Sequence, residues 1–408
     1  MLRKVMEMVS GKMRIHSLYK TKLTELSHIL LSLLIVSINM NGPDFFRTKE
    51  IFFFLFVLVS LPYGNYRRVF DFLLIFSILL FSDVLNLIIP GSDLTPSEAI
   101  KNSLGMIYLF ILIYNKDEYK QTILKSYLFS ALCVAIFICS IWLVCTFSRT
   151  AKDLLVAYFS AMKNDKTAFV LKISMKKILK WWVLGVYYGT APCMIPALGY
   201  CLVYGIKKKR NKFLLVEILL TAALIMSGTR ANIMTAVLLD AFYFGFWLLR
   251  KKQYTLAMFL ITLVAGFGVI LAFLFLTTVD ASLNVKTLHK MSYEKEFISD
   301  YGRFLFYGWG AGSTFYSAGF KSYTGLTELS HLETVRRYGL VPTIMIFVFV
   351  WLKPVVTIVS KEKSLLKYFY MILLVSYIFV ACTNPFLLGS IGFCALLFMS
   401  TFFERGFL

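Results

Sequence analysis

The chain predicts an all-α polytopic membrane protein of about 12 transmembrane helices, one integral membrane domain over residues 1–408 with a long external loop between helices 9 and 10. Three observations carry this expectation. Hydrophobic residues fill 59% of the 408 positions and charged ones 16%, with mean hydropathy +0.73, which leaves too little charge to solvate a water-soluble globule of this size. Apolar runs recur at about 20 residues, the length of helix that crosses roughly 30 Å of hydrocarbon, whereas a barrel would need short alternating strands. Lys and Arg gather in short clusters between those runs, as the cytoplasmic loops of membrane proteins do.

Apolar runs and their breaks place helices near residues 24–40, 50–63, 69–90, 98–114, 125–147, 181–206, 213–228, 231–249, 254–278, 339–359, 368–384 and 387–403. The basic clusters NYRR (65–68), NKDEYKQTILK (115–125), KKKRNK (207–212), RKKQ (250–253) and SKEKSLLK (360–367) then all fall on the side of the N-terminus. That side is the cytoplasm, and both termini lie in it. The basic N-terminal stretch reads as the leader of an uncleaved first span. A net charge of +21 is thereby explained by orientation and by anionic headgroups rather than by nucleic acid, which is not an expected partner. The seven cysteines lie in or beside apolar runs without metal or disulfide spacing and read as small core residues.

Parity puts the joints near 41–49, 91–97, 148–180, 229–230, 279–338 and 385–386 outside. Two are long. The loop 148–180 is basic although external, which long segments tolerate, and its FVLKISMKKILKWW suits an amphipathic helix on the membrane surface or an ordinary loop helix. The loop 279–338 mixes both signs and holds most of the external polar chemistry, and a loop of that length is usually functional.

SGTR (227–230) falls at an outer helical turn that Ser227 and Gly228 allow, so Arg230 projects at the outer edge of the bilayer. There it either snorkels to headgroups or offers a permanently charged fork to a phosphate. Asp83, Glu217 and Asp240, deeper in their spans, read as polar ties between helices. In the outer loop, Gly308, Gly310 and Gly312 resemble a phosphate-cradling loop but follow no strand, so the motif is weak as a nucleotide site. Behind them, ELSHLETVRRYG brings Glu328, His331, Arg336 and Arg337 within three helical turns, and Glu328, His331 and Thr334 are spaced to share a face. A carboxylate or imidazole can accept the proton of an attacking sugar hydroxyl while guanidinium groups stabilise a departing diphosphate. The alternative is an amphipathic lead-in to the next span. No paired carboxylate at ligand spacing accompanies Asp44, so neither metal nor cofactor is expected.

With SGTRANIMTAVL at a mid-chain turn, YGWGAG in a long outer loop and ELSHLETVRRYGLVPTIMIF before the last spans, the chain resembles the O-antigen polymerase and ligase superfamily of bacterial membrane glycosyltransferases. About 180 residues carry these motifs, and the first 180 match only in hydropathy and helix count. The resemblance implies a GT-C-like fold in the bacterial cytoplasmic (inner) membrane. It further implies an active site on the outer face that acts without metal on undecaprenyl-diphosphate-linked oligosaccharides, with a chain-length regulator as a candidate partner. Its arginine carries over to Arg230, with Arg303, Arg336 and Arg337 assisting at the diphosphate and Glu328 or His331 as base. Ligases of the family commonly show a histidine–asparagine pair about 11 positions before the glycine that opens the next helix. Here that glycine is Gly339 and Glu328 stands in the histidine's place, with His331 three residues on, which tilts the reading toward a polymerase of O-antigen, capsule or exopolysaccharide repeats. A ligase to the lipid A core is the same-fold alternative. A lipid-linked oligosaccharide flippase is the alternative of another class, disfavoured by the external placement of the charged cluster.

Overall fold

The computed structural model describes residues 22–40, 48–61, 69–88, 116–164, 171–178, 181–208, 213–260, 262–263, 266, 281–325, 327, 329–352, 356, 360, 366–382 and 389–404. They form α1 (Lys22–Met40), α2 (Thr48–Ser60), α3 (Val69–Ile88), α4 (Lys116–Phe147) and α5 (Arg149–Asn164), then the strands β1 (Leu171–Ile178) and β2 (Trp181–Tyr188). Next come α6 (Met194–Lys208), α7 (Leu214–Met226), α8 (Arg230–Arg250) and α9 (Ala281–Ser299), a π-helical turn (Arg303–Tyr307), and the short strands β3 (Phe315–Ser317) and β4 (Ser322–Thr324). The chain continues through α10 (Ser330–Tyr338), α11 (Leu340–Ile346), α12 (Leu366–Cys382) and α13 (Ser390–Glu404).

The protein is predominantly helical with membrane character. Lys22–Met40, Asp117–Phe147 and Arg230–Leu249 are long and apolar enough to cross a membrane. The pair Ser330–Tyr338 and Leu340–Leu352, bent by 117°, would make a fourth, and five further apolar helices are shorter. The expected span at 98–114 and most of that at 254–278 lie outside the described residues. Ile29 and Leu33 on α1, Phe129, Ile136 and Leu143 on α4, and Leu215 and Ile218 on α7 are exposed, an apolar girdle that hydrocarbon would solvate and water would not.

Helix contacts agree with the order of directions read from the basic clusters. Ser27 pairs with Tyr119 (2.8 Å), His28 with Thr122 (2.8 Å), Ser32 with Ser126 (2.5 Å) and Asn39 with Ser130 (2.8 Å). The numbers rise together, so α1 and α4 run parallel, as the first and fifth spans should. Such interhelical hydrogen bonds average about 0.6 kcal/mol each in membrane bundles. In the core, Tyr127 of α4 stacks on Phe398 of α13 at 4.2 Å. Thr221 of α7 donates to Asp240 of α8 at 3.0 Å, the helix-to-helix tie that the depth of Asp240 predicts.

Two expectations need correction. The chain is not wholly helical, because β1 pairs antiparallel with β2 and β3 with β4. Within FVLKISMKKILKWW (169–182), the described residues 171–178 and 181–182 are therefore strand rather than amphipathic helix, and the span expected to start at 181 starts instead with Ala191–Cys193 leading into α6. LKISM alternates with a period of two, Leu171 and Ile173 buried and Lys172 exposed between them, and WWVLGVYY is rich in aromatic and β-branched residues that favour strands. Apolar composition alone made residues 181–188 look like the start of a span.

Candidate functional site

The ends of helices that the basic clusters orient outward gather at one end of the molecule. Tyr188 at the end of β2 donates to the carbonyl of Met40, the last residue of α1. Trp142 near the end of α4 donates to Leu184 O at 3.0 Å. Gly185 of β2 lies against the α7–α8 turn, where Gly228 adopts φ 62°. A methyl on Gly185 would meet the Gly228 Cα at 3.2 Å, so the hairpin roofs the SGTR turn. Ser227, fully buried, donates to Leu224 O and accepts from Asn232 Nδ2. Arg230 opens α8, half-buried, at the positive end of the helix dipole.

The segment 281–325 and α10 fold around a second centre, whose hub is Glu333. ETVRR sets Glu333 at i−3 and i−4 from Arg336 and Arg337, the spacing at which helical side chains meet. Glu333 Oε1 accepts from Arg337 Nε (2.6 Å) and Arg336 Nη2 (2.9 Å), and Oε2 accepts from the Tyr293 hydroxyl of α9 (2.6 Å) and Arg336 Nε (3.2 Å). Tyr293 also pairs with Thr327 at 2.7 Å. Burial alone would raise the Glu333 carboxyl, but the two guanidinium groups outweigh it and hold the group below its ordinary range, ionised. Burial first, and then the Glu333 charge, push the Tyr293 hydroxyl far above the ordinary phenol range, so it stays a donor.

Arg336 has 0% exposure and every guanidinium nitrogen engaged: beside Glu333, Nη1 donates to Ser313 Oγ and Nη2 to Ser313 O, both at 2.8 Å. Its guanidinium also lies 4.7 Å from the Phe315 ring centroid. Arg337 donates through Nη2 to Gly325 O (2.9 Å), and its side chain is 18% exposed. The two arginines expected to act alike therefore differ, one sealed as a clamp and one incompletely buried.

The glycine stretch serves this centre as a backbone joint. Gly308 N donates to Arg303 O (2.7 Å), Trp309 N to Arg336 O (2.8 Å), Gly310 N to Arg337 O (2.9 Å) and Ala311 N to Asp83 Oδ1 (2.7 Å). Those amides are not left to cradle a phosphate. Gly308 (φ 62°) sits so close to α10 that a methyl there would come within 2.4 Å of the Arg337 backbone, and Gly339 (φ 87°) abuts Tyr307 N in the same way. The C-terminal part of α3 holds the joint: the Ser82 hydroxyl lies within hydrogen-bond reach of the carbonyls of Tyr307 and Arg337, and Asn86 donates to Gly308 O at 3.1 Å. Asp83 is thus a tie between α3 and the outer loop. Ser330 fastens the start of α10 to Ala381 O at the end of α12 (2.5 Å).

The remaining expected residues sit around this centre. Arg303, half-buried in the π-helical turn, pairs with Asp300 at 3.4 Å. His331 is exposed in the first turn of α10. At about 100° per residue it points roughly 120–160° away from Glu333, Arg336 and Arg337, so it does not share their face. Glu328 lies outside the described residues. α12 packs against both α8, which Arg230 opens, and α10, which carries the Glu333 hub. Sequence reasoning missed Glu333 and Tyr293 as the hub, although the i, i+3 and i, i+4 spacing of ETVRR was the available signal. No family model, curated protein or solved structure matches this chain.

Proposed function

We propose that the chain is a membrane glycosyltransferase that polymerises undecaprenyl-diphosphate-linked oligosaccharide repeats into O-antigen, capsule or exopolysaccharide on the outer face of a bacterial cytoplasmic membrane. In this reading it crosses that membrane about 12 times with both termini inside. The observation that carries the proposal is the folded outer segment around Glu333, fastened to the outward ends of α3 and α12, with Arg303 and Arg337 partly exposed on it. A transporter has no need of such an arginine-bearing cap.

Arg230, at the N-terminus of α8, takes the diphosphate with the helix dipole behind it. Arg337 and Arg303 stabilise charge growing on the departing diphosphate, and Arg336 holds the cap that presents them. The acceptor sugar hydroxyl attacks the anomeric carbon of the donor, whose bond to the diphosphate oxygen breaks, and Glu328 or His331 accepts the hydroxyl proton.

Gene deletion followed by gel analysis of the surface glycan tests the class. A single repeat on its normal carrier supports the polymerase, glycan missing from mature lipid A would indicate a ligase, and carrier-linked repeats trapped inside a flippase. Within the polymerase reading, Arg230→Ala abolishes chain extension while the protein still inserts; unchanged glycan ladders in that variant would overturn it.

A further inference from the structure

The helix α5 has a place in the fold that its sequence neighbours explain only in part. It follows α4 after Ser148, whose amide still donates to Val144 O and whose hydroxyl accepts from Ala151 N (3.2 Å), so the long apolar helix is capped and restarted within one residue. Leu155, Val156 and Phe159 pack inward, and β1 packs against α5. The opposite face is in the open: Leu154 is 67% exposed and Tyr158, one turn on, 55%, while Phe147 just before the cap is 84% exposed.

The level at which this face lies is fixed by the hairpin. β2 touches α4 at Trp142, the α7–α8 turn at Gly228 and the end of α1 at Met40. Those lie at the ends of α1, α4 and α8, which among the described residues are long and apolar enough to cross a membrane, together with α7. An element held at that level sits where hydrocarbon gives way to headgroups. Phe129, Ile136, Leu143 and Phe147 form one exposed stripe along α4 at i, i+7, i+14 and i+18, and Leu154 and Tyr158 extend that apolar surface past its end. The polar neighbours, Arg149, Thr150 and Asp153 on α5 and Lys172 on β1, are all exposed as well. An exposed apolar stripe edged by charge, with a tyrosine in it, at the limit of a spanning helix matches the membrane–water interface.

We propose that α5 lies in the outer membrane–water interface, with Leu154 and Tyr158 among the upper acyl chains and Arg149 and Lys172 against phospholipid phosphates. Through β1, β2 and the contact of Gly185 with Gly228, this float sets the depth of the turn that carries Arg230. The inference rests on the membrane-spanning reading and not on the transfer chemistry.

The full chain reconstituted in phospholipid nanodiscs tests it. Tyr158→Trp and, separately, Leu154→Trp are compared with the parent protein by difference fluorescence, using lipids brominated near the headgroup end or the methyl end of the chain and aqueous iodide. Strong quenching by the shallow bromines, weak quenching by the deep ones and little by iodide are the expected result at both positions. Quenching by iodide without lipid quenching overturns the proposal by placing α5 in water. Protection from every quencher overturns it by showing a protein partner on that face. A chain that washes out of the discs overturns the spanning reading itself, a failure distinct from the other two.

Discussion

Glu333 and Arg337 meet at 2.6 Å on α10, and the same carboxylate oxygen also receives Arg336, so one buried acid restrains two guanidinium groups. Removing it leaves two charges with no partner at that position, a loss that costs about 3–5 kcal/mol at buried pairs. Glu333→Ala therefore lowers the thermal midpoint of the purified protein sharply, and Glu333→Gln, which keeps acceptor and donor groups in place, less so. A midpoint unmoved by Glu333→Ala removes the hub from the account of the loop.

The pH dependence has a definite sign. Because the folded state holds the Glu333 carboxyl below its unfolded value, this ion cluster stabilises the protein fully above the unfolded carboxylate range, near about pH 4.3, and the contribution is lost as pH falls through the lower folded value. Thermal midpoints are expected to fall in acid by a larger step in the parent than in Glu333→Gln. Parallel acid profiles for the two proteins would count against it.

The two adjacent arginines differ in a way that lysine substitution reads out. Arg336 uses Nε, Nη1 and Nη2 on Glu333 and Ser313, a planar fork that an ammonium cannot reproduce. Arg336→Lys is expected to destabilise by about 2–5 kcal/mol, as loss of buried charge-assisted hydrogen bonds does, whereas Arg337→Lys costs stability less and glycan extension more. Equal effects of the two variants on both measurements would sink the division of labour between clamp and diphosphate contact.

Much of this arrangement is legible in the sequence, and the illegible part has physical causes. The parallel run of α1 and α4, seen in Ser27 with Tyr119 and Asn39 with Ser130, fits the relative direction that the basic clusters give this one pair, because charge asymmetry is a local property of loops. Asp240 reads correctly as a tie, since an acid at that depth needs a donor on a neighbouring helix. The hairpin at 171–188 was hidden because WWVLGVYY is as apolar as a span, and only the period-two burial of Leu171, Lys172 and Ile173 separates the two. Gly308, with Gly310 and Gly312, looked like a ligand loop because glycine permits a close approach whatever approaches. In this case the Arg337 backbone fills the space a phosphate would need. The separation of His331 from Arg336 and Arg337 around α10 was available from the helical repeat alone, but sequence proximity obscured it.

The contact of Gly185 with Gly228 yields the last prediction. Two glycines face each other there, and Gly228 is held at φ 62°, a conformation that glycine adopts at least cost. A Cβ on Gly185 would stand 3.2 Å from the Gly228 Cα, 3.6 Å from Ser227 O and 3.6 Å from Ser174 O, so alanine requires a shift of a few tenths of an ångström and valine a larger one. The hairpin is a two-stranded ribbon, whereas Ser227 is fully buried and bonded within its own turn, so the ribbon yields first. Gly185→Val is then expected to lift β2 from the turn and loosen the roof over Arg230 without unfolding the helices. Helical circular dichroism stays at the parent value, hydrogen exchange rises at residues 181–188 and 227–230, and glycan extension falls at least tenfold. Gly185→Ala lies between the two. Full extension by Gly185→Val with exchange raised at both segments would separate the roof from the function, and unchanged exchange would show that the turn, rather than the hairpin, had given way.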